Sequence, residues 1–474
     1  MSMDRGLGHD GVLRLGEVVA LLLACQFAAP VTRGQEGQSR PASRPVGAAW
    51  AAEGGDAART RRGPSLALDK KPVLAWSSDV VTDREQRLKG PFRIRGVIAS
   101  RERAFVICAS VLHRPIADIS LADVIFVHRI SDGKRLWLFD PGDLLGTTIT
   151  WSAGKLYAAS TGHVRMLDCR TGAMIWEMKP IKTRGRNLSD IVVDQRRIYV
   201  CLWGGEVLCL DKQTGKEVWR QDIELDRDEK PRLTLCGEVL FVTAQTTPVI
   251  RALGVKQGRQ LWQAELPDLP KLSPEGGLGI DAKVAPAFRP PACLSSGLLL
   301  VGVWAGIGDT RSYLAPYDMR NGRRRWQSEV TKSGMALGLA VDGNRAYASL
   351  GSGDVVCLQM LSGRRIWRTS LVAPNDVDPA RGYAYPFVLP GALSGKTLVV
   401  ANRAGTMFGL STESGNRLWS YTFKNPMGFD DGIVIAGGHI LVTNSNKLWA
   451  FKPQPNGPAT SVGGTASSRE GTEK

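Results

Sequence analysis

The chain has 474 residues, 43% of them hydrophobic, enough to bury a large core. Its formal net charge is +16, but the basic residues are spread among turns and tails, which reads as a solvated surface and not as a nucleic-acid site. None of the eight cysteines forms a CxxC pair, so zinc-ribbon, thioredoxin-like and haem-attachment readings have no support.

Residues 18–30, VVALLLACQFAAP, form the longest apolar stretch, with Arg5 and Arg14 ahead of it. The stretch is short for a membrane span and reads as the core of a signal peptide over residues 1–34. Two processing routes stay open. Leu22-Leu23-Ala24-Cys25 resembles a bacterial lipobox, which would place a lipid anchor on Cys25. Cleavage near Thr32-Arg33-Gly34 would instead release a secreted chain, and the apolar run past Cys25 favours that route. Residues 35–71 are rich in Ala, Gly, Arg, Ser and Pro without apolar periodicity, and are expected to be a flexible linker. Residues 453–474 share that composition and are expected to be a disordered tail.

Val73-Leu74-Ala75-Trp76 reads as a lone outer strand with no turn before it. From there the chain repeats one unit, clearest in Val207-Leu208-Cys209-Leu210-Asp211-Lys212-Gln213-Thr214-Gly215-Lys216-Glu217-Val218-Trp219. The apolar, branched run suits a buried strand. Thr214-Gly215 supplies a tight turn, and Val218-Trp219 opens a returning strand. Tryptophan holds the same place at Trp76, Trp137, Trp176, Trp219, Trp262, Trp326, Trp367 and Trp419. All but the first follow a glycine by four residues, at Gly133, Gly172, Gly215, Gly258, Gly322, Gly363 and Gly415. Successive tryptophans lie 61, 39, 43, 43, 64, 41 and 52 residues apart. A base period of about 40 with occasional insertions is that of a four-stranded propeller blade.

Two further strands precede each turn, as in Lys155–Ser160 and His163–Asp168, joined at Thr161-Gly162. Gly432–Phe451 supplies only three (GIVIAG, HILVTN, KLWAFK), and the strand around Trp76 completes them. The fold class is therefore all-β: an eight-bladed β-propeller of four-stranded antiparallel blades over residues 72–452. It is closed by the amino-terminal strand pairing with the carboxy-terminal blade. The repeated tryptophans and glycines are read as architecture, packing sheet against sheet.

The strand-LD-x-x-TG-x-x-x-W pattern, best matched by Val164–Trp176 and Val207–Trp219, resembles the pyrroloquinoline-quinone (PQQ)-type repeat over nearly all of residues 73–452. The resemblance implies the propeller and, more weakly, a function. One branch, the quinoprotein dehydrogenases, binds PQQ and calcium at the propeller axis. Many of its members carry an adjacent cysteine pair, which this chain lacks, and no ligand cluster carries over. Asn375, Asp376 and Asp378 form the nearest oxygen-rich stretch and read as a polar loop. The other branch resembles the non-catalytic outer-membrane assembly factor BamB, an exported propeller without cofactor. Length, signal segment and blade count agree with that branch.

No catalytic or metal-ligating residue is assigned. The five histidines form no HxH or HxxxH pair, and no GxSxG or phosphate-binding loop occurs in a suitable setting. Cys201 and Cys209 flank one hairpin and are the pair that oxidation could join. Propeller topology puts the turns before the motif tryptophans on one face, where Lys134, Arg135, Lys216, Arg259, Arg323, Arg324, Arg325, Arg364, Arg365 and Arg417 gather. The other face carries long insertions at 77–90, 264–291 and 371–386, where binding usually evolves. Trp203, Trp304, Tyr383, Tyr385 and Phe387 are the candidate partner-binding residues there. The expectation is an exported, monomeric, non-enzymatic propeller that scaffolds protein partners in the bacterial cell envelope, with no cofactor. The alternatives are a PQQ-dependent oxidoreductase, and a module binding carbohydrate or small molecules at the long-loop face.

Overall fold

The computed structural model describes residues 51–455 apart from 53–54, 57–58, 60, 83–91, 113–119, 141–146, 179–187, 228, 245–248, 266–286, 306–310, 332–335, 373–387, 403, 424–431 and 445. The described residues contain no helix, and their strands form eight separate four-stranded antiparallel sheets. Seven sheets follow chain order, each with its first strand innermost. In the third, for example, the order is Leu188–Val193, Arg197–Leu202, Glu206–Asp211 and Glu217–Asp222. The innermost strands touch in a closed cycle: 92–99, 148–152, 188–193, 232–236, 287–295, 336–342, 392–394, 434–436 and back to 92–99. The architecture is an eight-bladed β-propeller, and these strands number its blades 1 to 8. Val73–Asp79 pairs antiparallel with Lys447–Lys452, placing Ser77 opposite Trp449, so the first strand of the chain is the outer strand of blade 8.

The sequence pattern follows from this stacking. A middle strand has a neighbouring blade on both faces, so Ile198 to Leu202 and Val207 to Leu210 are all fully buried. The outer strand Glu217–Asp222 alternates instead, with Trp219 and Gln221 half-buried and Glu217, Val218 and Arg220 exposed.

The hairpin motif is built by its own side chains. Asp211 Oδ1 accepts hydrogen bonds from the Gln213 and Thr214 amides and from Thr214 Oγ1, at 3.1, 2.9 and 2.8 Å. The Gly215 amide donates to the Asp211 carbonyl at 2.8 Å. Gly215 has φ +72°, and a Cβ there would lie 2.9 Å from Cε3 of Trp176. Glycine is needed for both reasons. The relation repeats around the ring: Gly133, Gly172, Gly258, Gly322, Gly363 and Gly415 rest on Trp76, Trp137, Trp219, Trp262, Trp326 and Trp367 of the preceding blade. Most of these indoles also donate across the blade boundary, as Trp76 does to the Ile130 carbonyl (2.7 Å) and Trp219 to that of Val255 (2.8 Å). Among the described residues, Trp137 and Trp176 have no partner for Nε1. Trp419 has no following turn glycine, because blade 8 is completed by Val73–Asp79. Its Nε1 donates to the Leu68 carbonyl at 2.8 Å.

One expectation needs correction. Residues 35–71 read as a flexible linker, yet their described part, from Ala51 onward, is held against the propeller, and Leu68 is fully buried. Leu66 and Leu68 join the apolar core, while the segment's other contacts are largely hydrogen bonds to strand edges and carbonyls, so the sequence shows no apolar period. Cys201 and Cys209 are both free and buried. They sit on different rungs, Cys201 opposite Val207 and Cys209 opposite Tyr199, so the hairpin does not join them. Residues 1–34, including Cys25, lie outside the described residues, as do residues 456–474 of the expected tail.

Candidate functional site: the axial channel and the turn face

An innermost strand turns one backbone edge toward the axis, and unpaired amides and carbonyls there need partners. The chain's own amino-terminal segment supplies them. The Ala51 carbonyl accepts from the Trp151 amide (2.7 Å) and Thr150 Oγ1 (3.1 Å) of blade 2. The Arg59 guanidinium pairs with Asp190 of blade 3 and donates from Nε to the Leu233 carbonyl of blade 4 at 2.7 Å. Asp190 also accepts from the Leu233 amide (2.9 Å) and the Ile191 amide (2.9 Å). Both partners of the pair are 1% exposed. Burying two charges is costly unless each is paired and hydrogen-bonded, as both are here.

The segment then crosses the axis. Arg61 Nη1 reaches the Pro390 carbonyl at 3.3 Å, the Arg61 carbonyl accepts from the Leu393 amide, and the Gly63 amide donates to the Leu393 carbonyl, both at 2.9 Å. Arg62 is thereby bridged in parallel to Leu393, adding a short strand to the inner edge of blade 7. Arg62 Nη1 lies 2.9 Å from Asp342 of blade 6. A Cβ on Gly63 would be 2.6 Å from Ile435 Cβ of blade 8, so only glycine passes. Arg59 and Arg61 have φ of +56° and +54°, a left-handed conformation that costs on the order of 1–3 kcal/mol per residue. The segment leaves past Pro64, whose carbonyl accepts from Ser394 Oγ (2.7 Å), and Leu68, whose carbonyl accepts from Thr397 Oγ1 (3.2 Å). It therefore emerges on the face of the first-to-second and third-to-fourth strand turns.

That face is strongly basic. Lys134, Lys216, Arg259, Arg323, Arg324, Arg325, Arg364, Arg365 and Arg417 are exposed, and Arg135 is half-buried. Arg135 and Arg417 lie over the rings of Phe126 and Phe408, at 5.7 and 4.8 Å, and Arg325 pairs with Asp318. A cavity of about 330 Å³ opens between blades 8 and 1, lined by Arg101, Arg103, Arg129 and His439 among others. A smaller one of about 150 Å³ lies among the inner strands of blades 1 to 4, beside Arg95, Thr147, Ser189 and Arg232.

Trp203 is half-buried in the second-to-third strand turn of blade 3, with Lys230 Nζ 4.3 Å from its ring centroid. Trp304 lies at the end of the strand Leu298–Ala305. Tyr383, Tyr385 and Phe387 lie outside the described residues, with Asn375, Asp376 and Asp378. Among the described residues no three His, Cys, Asp or Glu side chains converge. Burial pushes the Cys209 thiol up to about 11 and that of Cys357 to about 12, and raises Cys201 well above its ordinary value. None of the three is an activated nucleophile. Sequence reading missed Arg59, Arg61 and Asp190. It also missed a rim of exposed apolar side chains one residue before the motif tryptophan, at Ile175, Val218, Leu261, Ile366 and Leu418. The only sequence signal for the axial insertion was the run Arg59-Thr60-Arg61-Arg62-Gly63.

A family model described as the outer membrane protein assembly factor BamB matches residues 160–284 and 310–454, more than half of the chain. The chain belongs to this family. The BamB of Xanthomonas campestris pv. campestris is 28% identical over 307 residues, covering 61% of this chain and 66% of that protein. The match thus spans just under two thirds of the relative's own length. The crystal structure of BamB from Moraxella catarrhalis superposes with a TM-score of 0.55 at 14% identity, covering 82% of this chain and 99% of that one. The quinohemoprotein alcohol dehydrogenase ADHIIG from Pseudomonas putida gives a TM-score of 0.59 at 11% identity, over 90% and 82% of the two chains. BamB and the dehydrogenase share this fold, so the propeller alone does not choose between scaffold and enzyme.

Proposed function

We propose that this protein is a BamB-like scaffold of the bacterial cell envelope that holds protein partners during outer-membrane protein assembly, without catalysis or a quinone cofactor of its own. The observation that carries the reading is the family match, which runs from within blade 2 to the last strand of the chain with one break. The exposed basic turns support it, since an excess of basic side chains on one face steers association with an acidic partner surface. Export rests on the signal reading of residues 1–34, with Cys25 as the residue a lipid would occupy. The protein acts as a monomer, and the long-loop face around residues 371–386 is a second surface for partners.

Cross-linking in envelopes, followed by capture of the tagged full chain, tests the reading. Outer-membrane assembly proteins are expected in the captured set. They should be depleted when Arg323, Arg324, Arg364 and Arg365 are changed to Glu, or when 371–386 is deleted. A captured set without any such protein rejects the scaffold role. Titration with PQQ and calcium provides the contrary arm. Saturable binding with dye-linked alcohol oxidation would establish the oxidoreductase instead. Mass spectrometry of the mature amino terminus distinguishes a lipidated Cys25 from a start near Gln35.

A further inference from the structure

We propose that the axial channel is a binding site for an extended peptide carrying an Arg-x-Arg pair, and that Arg59 and residues 61–68 of this chain occupy it in cis as a displaceable plug. The inference is independent of the assembly role.

Three observations carry it. First, the channel offers a guanidinium pocket. The Asp190 carboxylate and the Leu233 carbonyl sit together on adjacent blades and hold Arg59 at 1% exposure. Second, the inner edge of blade 7 offers backbone pairing. Leu393 exchanges both its amide and its carbonyl with the segment in a parallel bridge. Strand addition of this kind reads main-chain geometry, with side-chain pockets adding selectivity. Neither feature requires that the guest be covalently attached. Third, the resident segment is strained. Arg59 and Arg61 both lie in the left-handed region, a conformational cost that weakens the hold of the resident segment on the site.

Attachment explains why the plug stays. A tethered segment competes at an effective concentration on the order of millimolar, which masks the site against a free peptide of moderate affinity. Weakening the plug without touching the walls should therefore unmask it.

The test uses the full chain and a fluorescently labelled synthetic peptide of residues 51–68. Fluorescence anisotropy is measured on wild type, on the Arg59→Ala, Arg61→Ala double variant, and on that variant with Asp190→Asn added. Peptide binding at least tenfold tighter to the double variant than to wild type, and lost again with Asp190→Asn, is the expected result. Equal binding to wild type and the double variant overturns the proposal. So does equal binding of a control peptide with alanine at both arginine positions. If the double variant does not fold, Arg59→Lys with Arg61→Lys replaces it, keeping the charges while losing the planar fork. Limited trypsin digestion gives a separate reading. Cleavage after Arg59 and Arg61 should be at least tenfold slower in wild type than in Asp190→Asn. Equal rates overturn the plug itself.

Discussion

The ring of Trp219 lies directly against Gly258 of the next blade: a Cβ there would approach Trp219 Cε3 to 2.5 Å, and Gly258 has φ +71°. One glycine thus closes a hairpin and seats the neighbouring sheet. Gly258→Ala should cost about 2–4 kcal/mol, combining the left-handed penalty with overpacking. Gly154 is the control. Its φ is +75°, and a Cβ there would meet nothing within 4 Å, so Gly154→Ala should cost only about 1–2 kcal/mol. Urea midpoints of the two variants check the difference, and equal losses would show that the indole yields.

Trp419 stands at the closure. It is 6% exposed, its indole donates to Leu68, and Gly409 lies against its ring. Trp419→Ala should destabilise by about 3–5 kcal/mol. Trp419→Phe keeps most of the ring, leaves the Leu68 carbonyl with Thr397 Oγ1 as its donor, and should cost about 0.5–1.5 kcal/mol. Trp203→Ala, in a half-exposed turn, should move the thermal midpoint far less. A larger effect at Trp203 than at Trp419 would contradict this account of the seam.

Cys201, Cys209 and Cys357 are free, buried and held protonated by their surroundings. Iodoacetamide at neutral pH should leave these three unlabelled in the native protein and label them fully after denaturation. Peptide mapping reads this directly. Labelling of Cys201 in the native state would mean that blade 3 opens locally.

The turn carboxylates bring a pH dependence. The Lys155 ammonium holds Asp168 low, aided by Thr171, and the Thr214 amide and hydroxyl hold Asp211 low. Their folded pKa values lie below the unfolded value of about 3.9. Their contribution is therefore fully present above that pH and is lost as pH falls through the folded values. Asp211→Asn should be less stable than wild type at pH 7, with the gap narrowing below about pH 4. Chemical denaturation at both pH values measures it. A gap that stays constant would show that the hydrogen bonds do not depend on the charge.

Much of this fold is legible in the sequence, because each repeat carries its own turn chemistry. Asp211, Thr214 and Gly215 define a hairpin within five residues, and Trp219 follows at a set distance. Three strands at the carboxyl end and one at the amino end then imply closure. The basic turn face was legible for the same reason, since topology alone assigns those turns to one side. The candidate site at the axis was not. Arg59 and Asp190 are 131 residues apart, and Arg61 meets backbone amides and carbonyls, which nearly any residue can offer.

The sequence by itself determined the blade count, the strand order and the ring closure, because periodic local patterns specify local pairing and the pairing leaves one topology. Only the tertiary structure decided two things: that each turn glycine seats the indole of the blade before it, and that the segment resembling a linker lies within the channel. Both depend on groups brought together by ring closure. The second depends on unpaired strand edges, which exist only once eight blades surround a common axis.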